Sequence, residues 1–394
     1  MDKLLVRSAW FLWCLLLIVG GVMGSIAEDY LIVGIDRKVG FSSAGLTRNP
    51  PGQDSILIYD IGLDPLNPEP VVDLWLENSL FGPPTNLGIT PDGGLAIVAN
   101  SVMWERSGET WDSPPDQTLH VIDLNQNPPR KTASVTAGDQ PSGLTISGDG
   151  RWVAVANRKG RSVSLFEVKD QSLVKRGEVD VAGEAAAVAM DPTGSKILVA
   201  KFAEHAVGIV VWDGNELRYD ATQDLAVGRW PYNVQIVPGG VIALVANNGN
   251  NGFPDGHVDT VSVVDLSVDP HRVIDHIVVG DGPEGLAVSP DGRLAVVTLL
   301  NGAAPMFEKD WFYHETSQMA LLSIDGKSVE RIAVIDVGRF AEGVGFSRDG
   351  KYLYVGDLLD NQVSIWRVEG RKVTFTGKRI KLPGHVASLR TQLP

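Results

Sequence analysis

Apolar residues along this chain fall in short runs rather than in helical stripes. Runs of four to eight residues, rich in Val and Ile, alternate with Gly, Pro, Asn and Asp, which is the pattern of β-strands bounded by turns. No long segment carries the spacing of an amphipathic helix. One motif recurs: a Pro-containing turn, a short apolar strand, a Pro-Asp-Gly-like turn, then a second apolar strand. It occupies 84–93 with 95–100, and again 141–150 with 153–157. Further copies start near Ala185, Pro231, Pro283 and Ala341, and a truncated seventh near Val386.

These anchors recur at intervals of 44 to 58 residues. Third and fourth strands follow each pair, as at 260–265 and 273–278. Four short strands in a unit of this size make a propeller blade. The seventh copy runs out of chain, whereas residues 28–83 precede the first copy. The two pieces together complete one blade, with the strand at 386–390 innermost and strands 31–36, 54–60 and 71–76 outside it. The expectation is an all-β, seven-bladed β-propeller forming a single domain over 28–394, its last blade closed by the C-terminal strand with N-terminal strands. Such closure removes two free strand edges.

The repeat residues Ser289-Pro290-Asp291-Gly292-Arg293-Leu294-Ala295-Val296, and Asp349-Gly350-Lys351-Tyr352-Leu353-Tyr354-Val355-Gly356-Asp357 running into Asn361-Gln362-Val363-Ser364-Ile365, resemble the YVTN-type propellers, a group overlapping the lactonase-like propellers. The resemblance spans essentially all of 28–394. It implies the fold and, more weakly, hydrolysis or formation of a cyclic ester by polar residues in the channel mouth, because one fold hosts many activities.

Residues 1–27 read as a signal peptide. Lys3 and Arg7 precede an uncharged stretch from Ser8 to Ala27, and Ser25-Ile26-Ala27 fits a small-x-small cleavage site. An uncleaved anchor is the rival, which the Gly20-Gly21 break disfavours. Cleavage removes a net charge of +1 from a total of −14, leaving −15, and removes Cys14, the single cysteine. The mature chain then has no disulfide, no thiol nucleophile and no cysteine-ligated metal or haem, and no cofactor is expected. An exported, cysteine-free chain suits the periplasm or the exterior. The acid excess excludes a basic nucleic-acid footprint. Expected partners are a small-molecule ligand or a periplasmic protein.

Four connections, 37–53, 101–117, 248–258 and 300–317, are long and lie opposite the Pro-Asp-Gly turns, around one mouth. Long loops in a compact domain commonly carry function. Trp104, Trp311 and Tyr313 lie on two of them. They form either a lid over an organic ligand or a set of anchors packed on each other. Repeat-equivalent turn positions point Asn86, Ser142, Glu184, Trp230, Tyr232, Asn233, Glu284, Glu342 and His385 toward the channel, with Arg229 and Arg339 just before two of the turns. For an enzyme, Glu184, Glu284 or Glu342 would be the general base, His385 an acid–base partner and an arginine the clamp or oxyanion stabiliser. The bland alternative is that each residue serves its turn or the next blade's backbone. No histidine has a metal-spaced partner, so no metal site is expected. Gly280-Asp281-Gly282-Pro283-Glu284-Gly285 matches G-x-G-x-x-G literally but leads into a strand, so the dinucleotide reading fails. The oxygen-rich stretch 247–255 lacks the alternating acids of a calcium loop.

Overall fold

The computed structural model describes residues 29–392; the proposed leader and Cys14 lie outside them. Seven antiparallel sheets, six of four strands and one of five, form a ring of blades, with no α-helix among the described residues. We number the blades from the first complete repeat. Blade 1 runs from Leu87–Ile89 outward to Arg130–Thr136, blade 2 from Pro141–Ile146 to Ser172–Asp180, and blade 3 from Ala185–Met190 to Leu217–Tyr219. Blades 4, 5 and 6 begin at Pro231–Ile236, Pro283–Val288 and Ala341–Phe346. Blade 7 is composite: His385–Thr391 lies innermost, followed by Tyr30–Asp36, Ser55–Asp60 and Pro70–Trp75.

The expected closure is thus present. Leu31 pairs with Thr391 and Val33 with Leu389 in antiparallel register. The first strand, Tyr30–Asp36, is buried along its whole length, because it has a sheet neighbour on each side and a blade on each face. Leu31, Val33, Ile35 and Leu389 share one apolar cluster with Tyr354, Val363 and Ile365 of blade 6. The core of the molecule is a circle of such inter-blade layers rather than one central core.

The repeated turn explains itself locally. In Thr90-Pro91-Asp92-Gly93, the Thr90 hydroxyl donates to the Asp92 carboxylate at 2.5 Å and accepts the Leu95 N–H at 2.9 Å. Ser147 with Asp149, Ser289 with Asp291 and Ser347 with Asp349 repeat the pairing. These bonds hold Asp92 and Asp149 below the usual carboxylate range. Gly93 and Gly150 follow with φ of 72°, a left-handed conformation that glycine adopts without strain.

Blades 2 to 6 share a further feature that the apolar pattern does not reveal. Each innermost strand carries a bulge near its start, as between Pro283 and Leu286 or Ala341 and Val344. Bulges re-aim side chains, and here they hold Ser142, Ala186, Tyr232, Glu284 and Glu342.

Leu389 is fully buried at the closing seam. Leu389→Ala is therefore expected to cost about 2–5 kcal/mol, measured by urea unfolding. A chain ending at residue 384 is expected to lose its cooperative transition, since it would leave Tyr30–Asp36 as an unpaired apolar edge.

Candidate functional site

The bulged positions assemble a polar cluster at the end of the channel that faces the long loops. Tyr232 of blade 4, Glu284 of blade 5 and Glu342 of blade 6 are each more than nine-tenths buried. The blades meet here at backbone distance. A side chain at Gly285 would place its Cβ 1.9 Å from the Glu342 carbonyl, so glycine is required. The Thr298 hydroxyl accepts the Gly285 N–H at 2.8 Å and donates to the Glu342 carbonyl at 2.9 Å. Asn248, at the start of the 248–258 loop, donates to Glu284 Oε1 at 3.0 Å.

Burial pushes both carboxyls well above their ordinary value. The charge of Glu342 pushes Glu284 further, opposed by Arg158, while Asp36 pushes Glu342 further. Both therefore favour the protonated form. Burial raises the Tyr232 phenol too, and both glutamates add to that shift. Arg158 ties this group to blade 3. Its guanidinium lies 4.2 Å from the Phe202 ring centroid and 3.4 Å from Glu184.

A second buried polar group sits on blade 7. Asp36 accepts the backbone N–H groups of Lys38 and Val39 at 2.8 and 2.9 Å. The Lys38 ammonium bonds Asp54 and the Asn78 carbonyl, and burial pushes it down against the pull of Asp36 and Glu77. Among the described residues no group of three or more His, Cys, Asp or Glu is arranged to hold a metal ion.

Other candidates fall elsewhere. Asn86 and Asn233 lie one residue beyond the positions that face the channel; Asn86 bonds the Ala99 carbonyl at 3.2 Å and Asn233 the Glu284 carbonyl at 3.5 Å. Glu184 is half-exposed and paired with Arg158 and Lys159. Trp230 has φ of 56°, which turns its ring onto Phe202 and His205. Arg229 is exposed, and Arg339 is bound to Asp360 at 2.8 Å. His385 Nδ1 is within 3.1 Å of the Leu358 carbonyl and 2.8 Å of the Asn361 amide, and its ring meets Phe41 edge-on. Asn157, Asn247 and Asp357, at the ends of second strands, bond within their own blades. Arg158 and Asn248, one residue further on, are the ones that reach the cluster. The signal for them was a shift of one residue in the repeat alignment.

The aromatic loops largely pack on one another. Trp104 stacks on Phe81 and donates to the Asn49 carbonyl at 2.8 Å, fastening the 101–117 loop to the 37–53 hairpin. Phe41 meets Phe340, and Met306 and Phe307 join the same apolar group. Trp311 remains 77% exposed beside Phe312, and Tyr313 is half-buried.

Neither a protein-family model nor a curated protein matches the sequence. Solved structures do match in fold. A candidate 6-phosphogluconolactonase of Bacteroides fragilis is 15% identical, with a TM-score of 0.69 over 93% of this chain and 98% of that one. The Pseudomonas aeruginosa periplasmic gluconolactonase PpgL is 17% identical, with a TM-score of 0.67 over 92% and 98%. Kuenenia stuttgartiensis hydrazine synthase is 18% identical, with a TM-score of 0.60 over 80% and 91%. The chain is a seven-bladed β-propeller with lactonase-like neighbours. At these identities the likeness shows the fold alone.

The electrostatics give a signed expectation. A carboxyl raised on folding keeps its proton after the unfolded chain has lost its own. Stability therefore falls as pH rises above about 4.5, the ordinary glutamate value. Asp29, Asp357 and Asp259, raised to about 6, 6 and 7, act in the same direction. The double variant Glu284→Gln/Glu342→Gln is expected to lose less Tm than the parent between pH 4.5 and 8. Parallel Tm profiles for the two proteins would contradict the assignment.

Proposed function

We propose that this propeller binds a small hydroxylated or lactone-bearing ligand at the loop-side end of its channel. The supporting observation is the pair Glu284 and Glu342, buried near Tyr232 and Arg158 with both carboxyls pushed toward the protonated form by burial. Two buried carboxyls that act on each other electrostatically are costly to a fold. Protonated, they donate hydrogen bonds that a polyol or a ring-ester carbonyl accepts, while Arg158 offers a positive charge to a carboxylate. Asn248, at the start of one long loop, bonds Glu284, and Trp311 of another is exposed.

A second reading, a lactonase-like hydrolase, is favoured by the same pair and by the two neighbours whose names carry lactonase activity. In it one carboxyl protonates the departing ring oxygen and the other, once ionised, takes a proton from water. Glucono-1,5-lactone and gluconate are suitable probes, followed by calorimetry and by NMR of ring opening. Binding of either probe that weakens at least tenfold in Glu284→Gln or Glu342→Gln supports the site. Ring opening faster than in buffer, falling about 10²–10⁴-fold in those variants, selects the hydrolase. Unchanged binding and turnover in both variants would remove the pair from the site.

We further propose export, supported by the N-terminal pattern of charge, apolar run and small residues and by the periplasmic neighbour. No helix among the described residues is long and apolar enough to cross a membrane. Expression in a Gram-negative host is expected to yield a periplasmic protein whose N-terminal sequencing starts at Glu28. A cell-associated protein starting at Met1 would contradict this.

A further inference from the structure

The opposite end of the channel has a different character. Where the Pro-Asp-Gly turns gather, all seven innermost strands line a cavity of about 390 Å³. Its wall is mostly apolar, with Leu144, Ile146, Met190, Ile236 and Phe346 among the lining side chains. One cation, Arg390 of the closing strand, also faces it. Ala287 and Gly345 of this wall lie three residues beyond Glu284 and Glu342, or about 10 Å along a strand. The cavity and the polar cluster are therefore separate levels of one channel.

Arg390 is half-buried in the cavity wall, and its side chain has no hydrogen-bond or ion-pair partner among the described residues. By contrast, the buried Lys38 has Asp54 beside it and the buried Lys201 has Asp224. Burial alone pulls Arg390 down to about 10, with no carboxylate opposing it, so the guanidinium is charged at neutral pH. A guanidinium on this wall with no protein counter-charge keeps its donors available to an anion in the cavity. The polar lining side chains Thr145 and Gln235 are likewise bonded to no other described residue.

We propose that this cavity is a second binding site, for an amphiphilic carboxylate. The carboxylate would meet Arg390, whose planar fork suits it, and the hydrocarbon body would lie among Leu144, Ile146, Met190, Ile236 and Phe346. The apolar wall excludes the bare inorganic anion as the preferred occupant, since a phosphate would leave most of its oxygens unbonded. The site is independent of the glutamate pair.

The test is calorimetry and thermal shift on the purified protein with octanoate, 1-octanol and inorganic phosphate. Octanoate is expected to bind at least tenfold more tightly than 1-octanol and phosphate, and to raise Tm. Arg390→Gln is expected to weaken octanoate at least tenfold, leave 1-octanol within threefold, and keep a ligand-free Tm close to the parent's. Arg390→Lys is expected to retain most of the affinity. Thr145→Trp, which fills the lumen and keeps the charge, is expected to abolish octanoate binding and decides the matter should Arg390→Gln fail to fold. Octanoate binding that is absent in the parent, unchanged in a folded Arg390→Gln, undiminished in Thr145→Trp or matched by phosphate would overturn the proposal. Glu284→Gln/Glu342→Gln is expected to bind octanoate normally, so the two sites fail separately.

Discussion

The pairing of the last strand with the first carries the rest of the architecture. Six blades can each form from consecutive chain, but a ring of sheets becomes a closed ring only when the seventh is supplied. His385–Thr391 supplies its innermost strand and Tyr30–Asp36 the next one out. Both the apolar cluster at the seam and the seventh wall of the channel depend on that pairing. It makes the most non-local contact in the molecule, so loop closure must be met before its contacts stabilise anything.

The fold was largely legible because its signals are local and repeated. The anchors at Pro141, Ala185, Pro231, Pro283 and Ala341 are the first residues of the innermost strands. The Ser/Thr-x-Asp-Gly turns announce themselves by a hydroxyl, a carboxylate and a left-handed glycine within four residues. The site was legible only where it follows the repeat. Tyr232, Glu284 and Glu342 share one repeat offset, and the structure brings them together. Asn233 was placed one residue off by a bulge, which no apolar pattern encodes, and Asn86 lies at the same repeat offset. Arg158 escaped notice because it lies one residue past the end of its second strand, and Arg390 because the seventh repeat is truncated around it. The loops were the least legible: nothing in 101–117 announces that Trp104 will bond the Asn49 carbonyl.

The two levels of the channel divide the electrostatic labour of the innermost strands. Near their starts, the bulges gather carboxyls whose burial pushes them toward the protonated form. Three residues on, small and apolar side chains leave room, and the one charge present has the opposite sign. A chain with a strong acid excess thus keeps a solitary cation at its axis. Arg390 stands on the strand that completes the ring, so closure and the lumen's only positive charge among the lining residues named here arrive together.

That arrangement also bears on where this polypeptide can be cut and rejoined. The Gln392 N–H bonds the Tyr30 carbonyl at 2.9 Å, so the two extremities of the described chain are neighbours. A short linker could fuse them, and fresh extremities could be opened at an exposed hairpin such as Pro238–Gly239. The rearranged molecule would hold its former seam covalently and would divide blade 4 instead. The fold is a circle in all but its covalent order.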